Sequence, residues 1–213
     1  MLTQREACRI SGILGRVCEA RRKVIPGYGK EHVLKTIYIL AKEPTGRLKL
    51  SKLLGVGEAS TRTLLKRLRE EGLIVVDPVA GAELSDKGKG VFAPLLVSAR
   101  IFRSQVPRLE EWGTPVFLCV KNMGGLLDRY GVLRLRDMAI SSGAEAAIIG
   151  VYTENHVFTA PGMEIRELKR SIELILDRNN VMGGSLIVVV RDGEDTVYRL
   201  LARFLELMCR REG

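Results

Sequence analysis

The chain has 213 residues, 28% of them charged, a net charge of +9 and a pI near 9.6. That is enough sequence for one or two domains with real cores. No run of about 18 apolar residues is present, which excludes a transmembrane helix. Charges interrupt the N-terminal MLTQREACRISG, so no signal peptide is expected and the expected compartment is the cytoplasm.

The charge is uneven. Residues 1–91 carry 18 Lys+Arg against 10 Asp+Glu, a net of +8, whereas residues 92–213 carry 16 against 15, a net of +1. The positive field therefore belongs to the first half, as expected for a phosphate-binding module joined to a near-neutral partner domain. The chain has only two Gln and four Asn, a composition that fits a thermophile.

Residues 3–22 predict a helix, with Ala7, Ile10, Ile13, Leu14, Val17 and Cys18 apolar and Arg5, Arg9, Arg16, Arg21, Arg22 and Lys23 basic. A dimerisation arm, a DNA-backbone contact and a solvated helix packed on its domain all fit this stretch. Ile25-Pro26-Gly27-Tyr28-Gly29 breaks it. A helix follows from His32 to Lys42.

Leu48–Gly90 is the most informative segment. A short apolar helix ends at Gly55, a turn passes through Val56 and Gly57, and a second helix runs from Glu58 to Glu71 before Gly72 stops it. At about 100° per residue, Thr61, Leu64, Leu65 and Leu68 share one face. Arg62, Lys66 and Arg69 lie on another, with Ala59 and Thr63 beside them. Leu73–Val76 and Ala82–Leu84 predict a hairpin, with Asp77-Pro78-Val79-Ala80-Gly81 at its tip. Ser85 is placed to cap a further helix. Helix, turn, helix, hairpin is the winged helix-turn-helix layout, whose second helix is shaped for a DNA major groove. An ordinary amphipathic helix with a solvated basic face is the competing reading.

Leu53-Leu54-Gly55-Val56-Gly57, Arg62, Leu65, Leu68 and Glu71-Gly72-Leu73-Ile74 resemble the winged-helix transcription regulators of bacteria and archaea. Glu83-Leu84-Ser85-Asp86-Lys87-Gly88 is similar to the sequence that closes the wing in many of them. The resemblance covers roughly residues 31–91. It implies duplex-DNA contacts from Ala59, Arg62, Thr63, Lys66 and Arg69, joined by Lys87 and Lys89 behind the wing. Gly57 departs from the usual Ser or Thr, which removes a phosphate contact from that side chain. The whole chain also resembles an uncharacterised archaeal winged-helix family with a C-terminal α/β domain, which brings no activity with it.

Residues 98–114, with Pro107 and Gly113, read as a linker, although Ala99–Gln105 also fits an edge strand. Beyond them the order is βαββαβα: strands at Val116–Val120, Ala146–Thr153, His156–Thr159 and Ser185–Val190, and helices at Val132–Ser142, Met163–Arg178 and Asp195–Arg210. This predicts an α+β chain of four parts: a basic helix over 1–30, a winged helix over 31–97, the linker, and a ferredoxin-like βαββαβ(α) domain over 115–213. Three strands are continuous apolar runs, as if both faces were buried. Either a partner subunit covers the open sheet face, giving a homodimer, or the sheet is a small parallel one with helices on both sides.

No catalytic constellation is present, and no cofactor or metal motif. His32 and His156 have no partner at ligand spacing, Gly88-Lys89-Gly90 is not a P-loop, and the four cysteines, with no CxxC, read as buried small hydrophobes rather than ligands or disulfides. Gly124-Gly125 and Gly183-Gly184 adjoin apolar strands. With Asn122, Arg134 and Arg136 they outline a site for a small anionic effector; two tight turns in a structural domain are the alternative. The functional expectation is a non-enzymatic regulator that binds double-stranded DNA, with an enzyme or RNA-binding protein carrying an accessory winged helix as the alternative.

Overall fold

The computed structural model describes residues 2–21, 25–191 and 193–209. Arg22, Lys23 and Arg210, assigned to the first and last helices from sequence, lie outside these residues. The chain divides into two compact units, Thr3–Leu96 with Leu201–Gly213, and Val97–Leu200 with Met1–Leu2.

In the first unit α1 (Gln4–Cys18) starts from a capping box: Thr3 N–H donates to Glu6 Oε2 at 2.7 Å and Glu6 N–H donates to Thr3 Oγ1 at 3.3 Å. Ala7, Ile10, Ile13, Leu14 and Val17 are buried where α1 meets α2 (Lys30–Leu40) and α4 (Glu58–Glu70). At the start of α2 the Gly29 N–H donates to His32 Nδ1 at 2.9 Å, which gives this histidine a structural task. α3 (Arg47–Leu54) precedes α4, and the antiparallel pair β1 (Ile74–Asp77) and β2 (Gly81–Leu84) follows it. Thr45 bridges to Ala82 through bonds of 2.9 and 3.0 Å, an isolated antiparallel bridge beside the hairpin. Ser85 opens α5 (Asp86–Ser98): its Oγ donates to the Gly72 carbonyl at 2.6 Å and accepts from Gly88 N–H at 3.0 Å.

The second unit contains β3 (Ala99–Arg103), a 3-10 turn at Glu110–Trp112, β4 (Val116–Lys121), α6 (Gly125–Ser141), β5 (Ala146–Tyr152), β6 (Phe158–Thr159), α7 (Arg166–Arg178) and β7 (Ser185–Arg191). α8 (Glu194–Cys209) begins there, and its residues from Leu201 onward belong to the first unit. The strand order is β3-β4-β7-β5-β6 and each pairing is antiparallel.

Three expectations change here. The parallel alternative fails, because each strand runs opposite to its neighbours. The connections β4-α6-β5 and β6-α7-β7 each span one intervening strand, as in a ferredoxin-like unit, but the order differs. There the first and third strands of βαββαβ lie in the centre; here the second and fourth, β5 and β7, do. Residues 98–114 are not a plain linker, since β3 pairs with β4 along its length and Phe102 stacks on Phe117 with centroids 5.0 Å apart.

The continuous apolar strands have a simple cause. Phe117, Cys119, Ile148, Tyr152, Ile187 and Val189 pack with Leu168, Ile172, Ile175 and Leu176 of α7. The alternate residues Leu118, Val120, Ile149, Leu186 and Val188 are buried too, and α6 packs on β5 and β7. Each buried aliphatic side chain contributes roughly 1.5–3 kcal/mol, so a strand covered on both faces gains from apolar residues at every position. Helices of the same chain supply both covers. Among the described residues neither face of these strands is open, so their apolar runs need no partner subunit to explain them.

Candidate nucleic-acid interface and ligand cleft

α3 ends at Gly55, whose φ of 68° lets the chain turn in the left-handed region, and Ser51 Oγ donates to the Val56 carbonyl at 2.6 Å across the turn. Gly57 then starts α4 without a side-chain cap. Thr61, Leu64, Leu65 and Leu68 of α4 are buried, which turns Ala59, Arg62, Lys66 and Arg69 to the outside. Thr63 is half-buried and its hydroxyl donates to the Ala59 carbonyl at 3.0 Å. Lys66 Nζ lies 3.9 Å from Glu70. Arg62 and Arg69 have no anionic partner among the described residues.

Several other basic residues of this unit are engaged. Arg67, only 5% exposed, donates to the carbonyls of Val17 at 2.9 Å and Glu19 at 2.6 Å. Arg16 holds Glu71 through two bonds and Arg21 holds Glu70 through one. These contacts tie α1 and its exit to α4, so Arg16 and Arg21 serve the packed-helix reading of α1. Lys87 Nζ donates to the Glu71 carbonyl at 2.6 Å at the end of α4, and Lys89 lies 3.9 Å from Asp86. The hairpin tip carries no cation. Asp77 accepts from the Val79 and Ala80 amides at 2.7 Å each, which holds its carboxyl below the ordinary value. Val75, Val76 and Val79 are exposed around it.

In the second unit a cleft of about 650 Å³ opens beside the end of β4. Asn122, Gly124, Gly125 and Gly184 line it, whereas Gly183, Arg134 and Arg136 do not. Arg134 lies over the Tyr130 ring at 5.0 Å, and Arg136 is exposed beyond a break in α6 at Gly131. Both glycines have local reasons: a β-carbon on Gly183 would stand 2.7 Å from the backbone Cα of Glu154, and Gly184 holds a left-handed φ of 72°. Lys121 fixes the same corner, donating to Glu154 Oε1 at 2.6 Å and to the Gly183 carbonyl. The charges that do line the cleft are Asp128 of α6 and Lys169 of α7. On sequence alone these read as ordinary polar faces of helices, and nothing in their spacing brings them together.

Two further arrangements carry no sequence signature. Tyr152 donates to Asp177 Oδ1 at 2.5 Å, and His156 Nδ1 stands 3.0 Å from the Tyr152 hydroxyl and 2.9 Å from Asp177 Oδ1. Burial, then the bond to Asp177, pushes the Tyr152 phenol well above its ordinary value, and the bonds from Tyr152 and His156 lower Asp177. The cluster pins the β5–β6 turn to the end of α7. Cys8 and Cys209 form a disulfide, with Cα atoms 5.1 Å apart and a sequence separation of 201. The reading of all four cysteines as unpaired is thereby corrected. Cys119 is buried, and burial raises the thiol of Cys18 to about 11. Among the described residues no group of three or more His, Cys, Asp or Glu is placed to hold a metal ion, and no helix is long and apolar enough to cross a membrane.

Residues 30–90 match the family described as PH0730-like, N-terminal domain, and residues 114–202 match a domain of unknown function, DUF4443. No curated protein matches the chain. Among solved structures the chain is similar to the hypothetical protein PH0730 from Pyrococcus horikoshii OT3, at 24% identity and a TM-score of 0.62, over 85% of this chain and 92% of that one. The likeness concerns the fold: helices with an antiparallel sheet.

Proposed function

We propose that the chain is a transcription regulator that binds duplex DNA, with its first unit acting as a winged helix-turn-helix. The observation that carries this reading is the outer face of α4. Ala59, Arg62, Thr63 and Lys66 follow the spacing of a helix laid in a major groove, and Arg62 and Arg69 lack anionic partners there. Short side chains at Ala59 and Thr63 allow close approach, and an unpaired Arg suits the two acceptors of a guanine edge. The net of +8 over residues 1–91 supports the same reading. The hairpin tip carries Asp77 and no cation, which leaves phosphate contact to α4 and to Lys89. Fluorescence anisotropy of the full chain on matched duplex and single-stranded oligonucleotides tests it. Duplex should bind more tightly, with a log–log salt slope of about −0.9 per neutralised phosphate. Equal binding of single strands, or binding indifferent to salt, overturns the reading.

A further inference from the structure

We infer that the cleft of the second unit binds a small zwitterion of amino-acid size, its ammonium towards Asp128 and its carboxylate towards Lys169. The cleft of about 650 Å³ has the dimensions of a small-molecule site. Its charged lining is one acid and one base, from two different helices, so the arginines invoked for an anion are replaced by a balanced pair. Neither side chain has an ion-pair or hydrogen-bond partner among the described residues, and the two charged groups are not within 4.0 Å of each other. Lys169 is half-buried, which makes an unpaired ammonium there more costly than one on an open surface. A ligand with one charge satisfies one wall and faces an uncompensated charge on the other. A ligand carrying both charges satisfies the two together, and this is discrimination through the penalty on the wrong ligand.

Two more features fit. Asn122 holds a left-handed φ of 65° at the mouth of the cleft, a conformation that asparagine tolerates better than most residues, and its carboxamide has no partner among the described residues. That group can donate and accept beside the ligand. Gly125 leaves the wall open: a β-carbon there would meet nothing within 4 Å. The glycine is not demanded by packing, so a larger side chain would occupy ligand space without disturbing the core.

The test is isothermal titration of the full chain with the common L-amino acids at millimolar concentration. Each hit is compared with its 2-hydroxy acid, which lacks the ammonium, and its decarboxylated amine, which lacks the carboxylate. At least one amino acid should bind, and both single-charge analogues should bind about tenfold more weakly or worse. Asp128→Asn and Lys169→Met should each lower affinity by a similar factor, and Gly125→Leu should abolish binding while keeping the unliganded melting temperature. The analogue comparison needs no variant, so a variant that fails to fold leaves the test intact. Absence of binding by every amino acid, equal binding of a single-charge analogue, or affinity unchanged in both charge variants overturns the inference. No DNA is present in the titration, so its failure is distinct from a failure of the DNA reading.

Discussion

Arg67, on the inner face of α4, donates from Nη1 to the carbonyl oxygen of Val17 at 2.9 Å, with a second bond to Glu19 at 2.6 Å. A helix dense in cations thus turns one of them inward to satisfy the last carbonyls of α1. The Val17 carbonyl also accepts from the Tyr28 hydroxyl at 3.0 Å, so the exit of α1 is fastened from two sides. Arg67→Met keeps most of the apolar stem and removes the donors. It should cost about 1–3 kcal/mol in urea unfolding, the penalty for stranding buried acceptors. A stability change under a few tenths of a kcal/mol would show that the contact is dispensable.

The outward cations should behave in the opposite manner. Arg62→Ala should leave the unfolding midpoint unchanged and cost about 1–3 kcal/mol of DNA affinity, with relaxed sequence preference, if it reads a guanine edge. Lys66→Ala should weaken all sequences alike and reduce the salt slope by about 1. Anisotropy on a panel of duplexes separates the two. Folded variants that bind as wild type would remove α4 from the interface.

Sequence periodicity revealed some of this arrangement and concealed the rest. The inward face of α4 was legible because Thr61, Leu64, Leu65 and Leu68 repeat at helical spacing between two glycine stops. Ser85 as a cap was legible for the same local reason. The continuous apolar strands correctly signalled two covered faces, but a one-dimensional pattern does not say which helix covers which face, and the cover was assigned to a second subunit. Strand order in the sheet is a property of long-range packing, so the central pairing of β5 with β7 left no local trace. The Cys8–Cys209 bond and the Tyr152–His156–Asp177 cluster join residues distant in sequence, and Asp128 and Lys169 line one cleft from two different helices. The end of α8 sits with the first unit, so a fragment cut after residue 95 would lose a covalent partner of α1.

Two glycines at the start of α5 should respond with opposite signs. A β-carbon on Gly88 would stand 2.0 Å from the Leu73 carbonyl oxygen, whereas one on Gly90 would meet nothing within 4 Å. The obstacle at Gly88 is backbone, which cannot swing away. Gly88→Ala should destabilise the chain by about 1–3 kcal/mol, the range for overpacking. Gly90→Ala should be neutral or stabilise it by up to about 1 kcal/mol through helix propensity. Chemical denaturation of the pair gives the answer, and equal effects would contradict the close approach of α5 to Leu73.

Removing the Cys8–Cys209 bond should lower stability by about 2–4 kcal/mol, because it frees a long loop in the unfolded chain. Wild type in reductant should match the Cys8→Ser/Cys209→Ser variant, and reductant should leave that variant unchanged. Mass spectrometry after alkylation should find Cys18 and Cys119 as the thiols of the oxidised protein. Four alkylated cysteines without reduction would exclude the bond.

Arg16 sets a pH window. Its guanidinium donates to Glu71 at 3.1 and 3.0 Å, and that bond, ahead of all other influences, holds the Glu71 carboxyl below the ordinary value of 4.5. A carboxyl depressed in the folded state contributes stability that is present above its unfolded pKa and is lost as pH falls through its folded pKa. The contribution of Glu71 should therefore be whole at neutral pH and decline below the ordinary carboxylate value. Glu70, lowered by Arg21, and Asp77, lowered by the Ala80 and Val79 amides, act in the same direction within the same unit. Removing one partner should flatten the acid limb without abolishing it. Arg16→Met should lower the urea midpoint at about pH 6, and its gap from wild type should close as pH approaches about 3. The arginine stays charged throughout, so the closing gap reports protonation of the carboxyl. A gap that stays constant across this range would show that the pair does not govern the acid response.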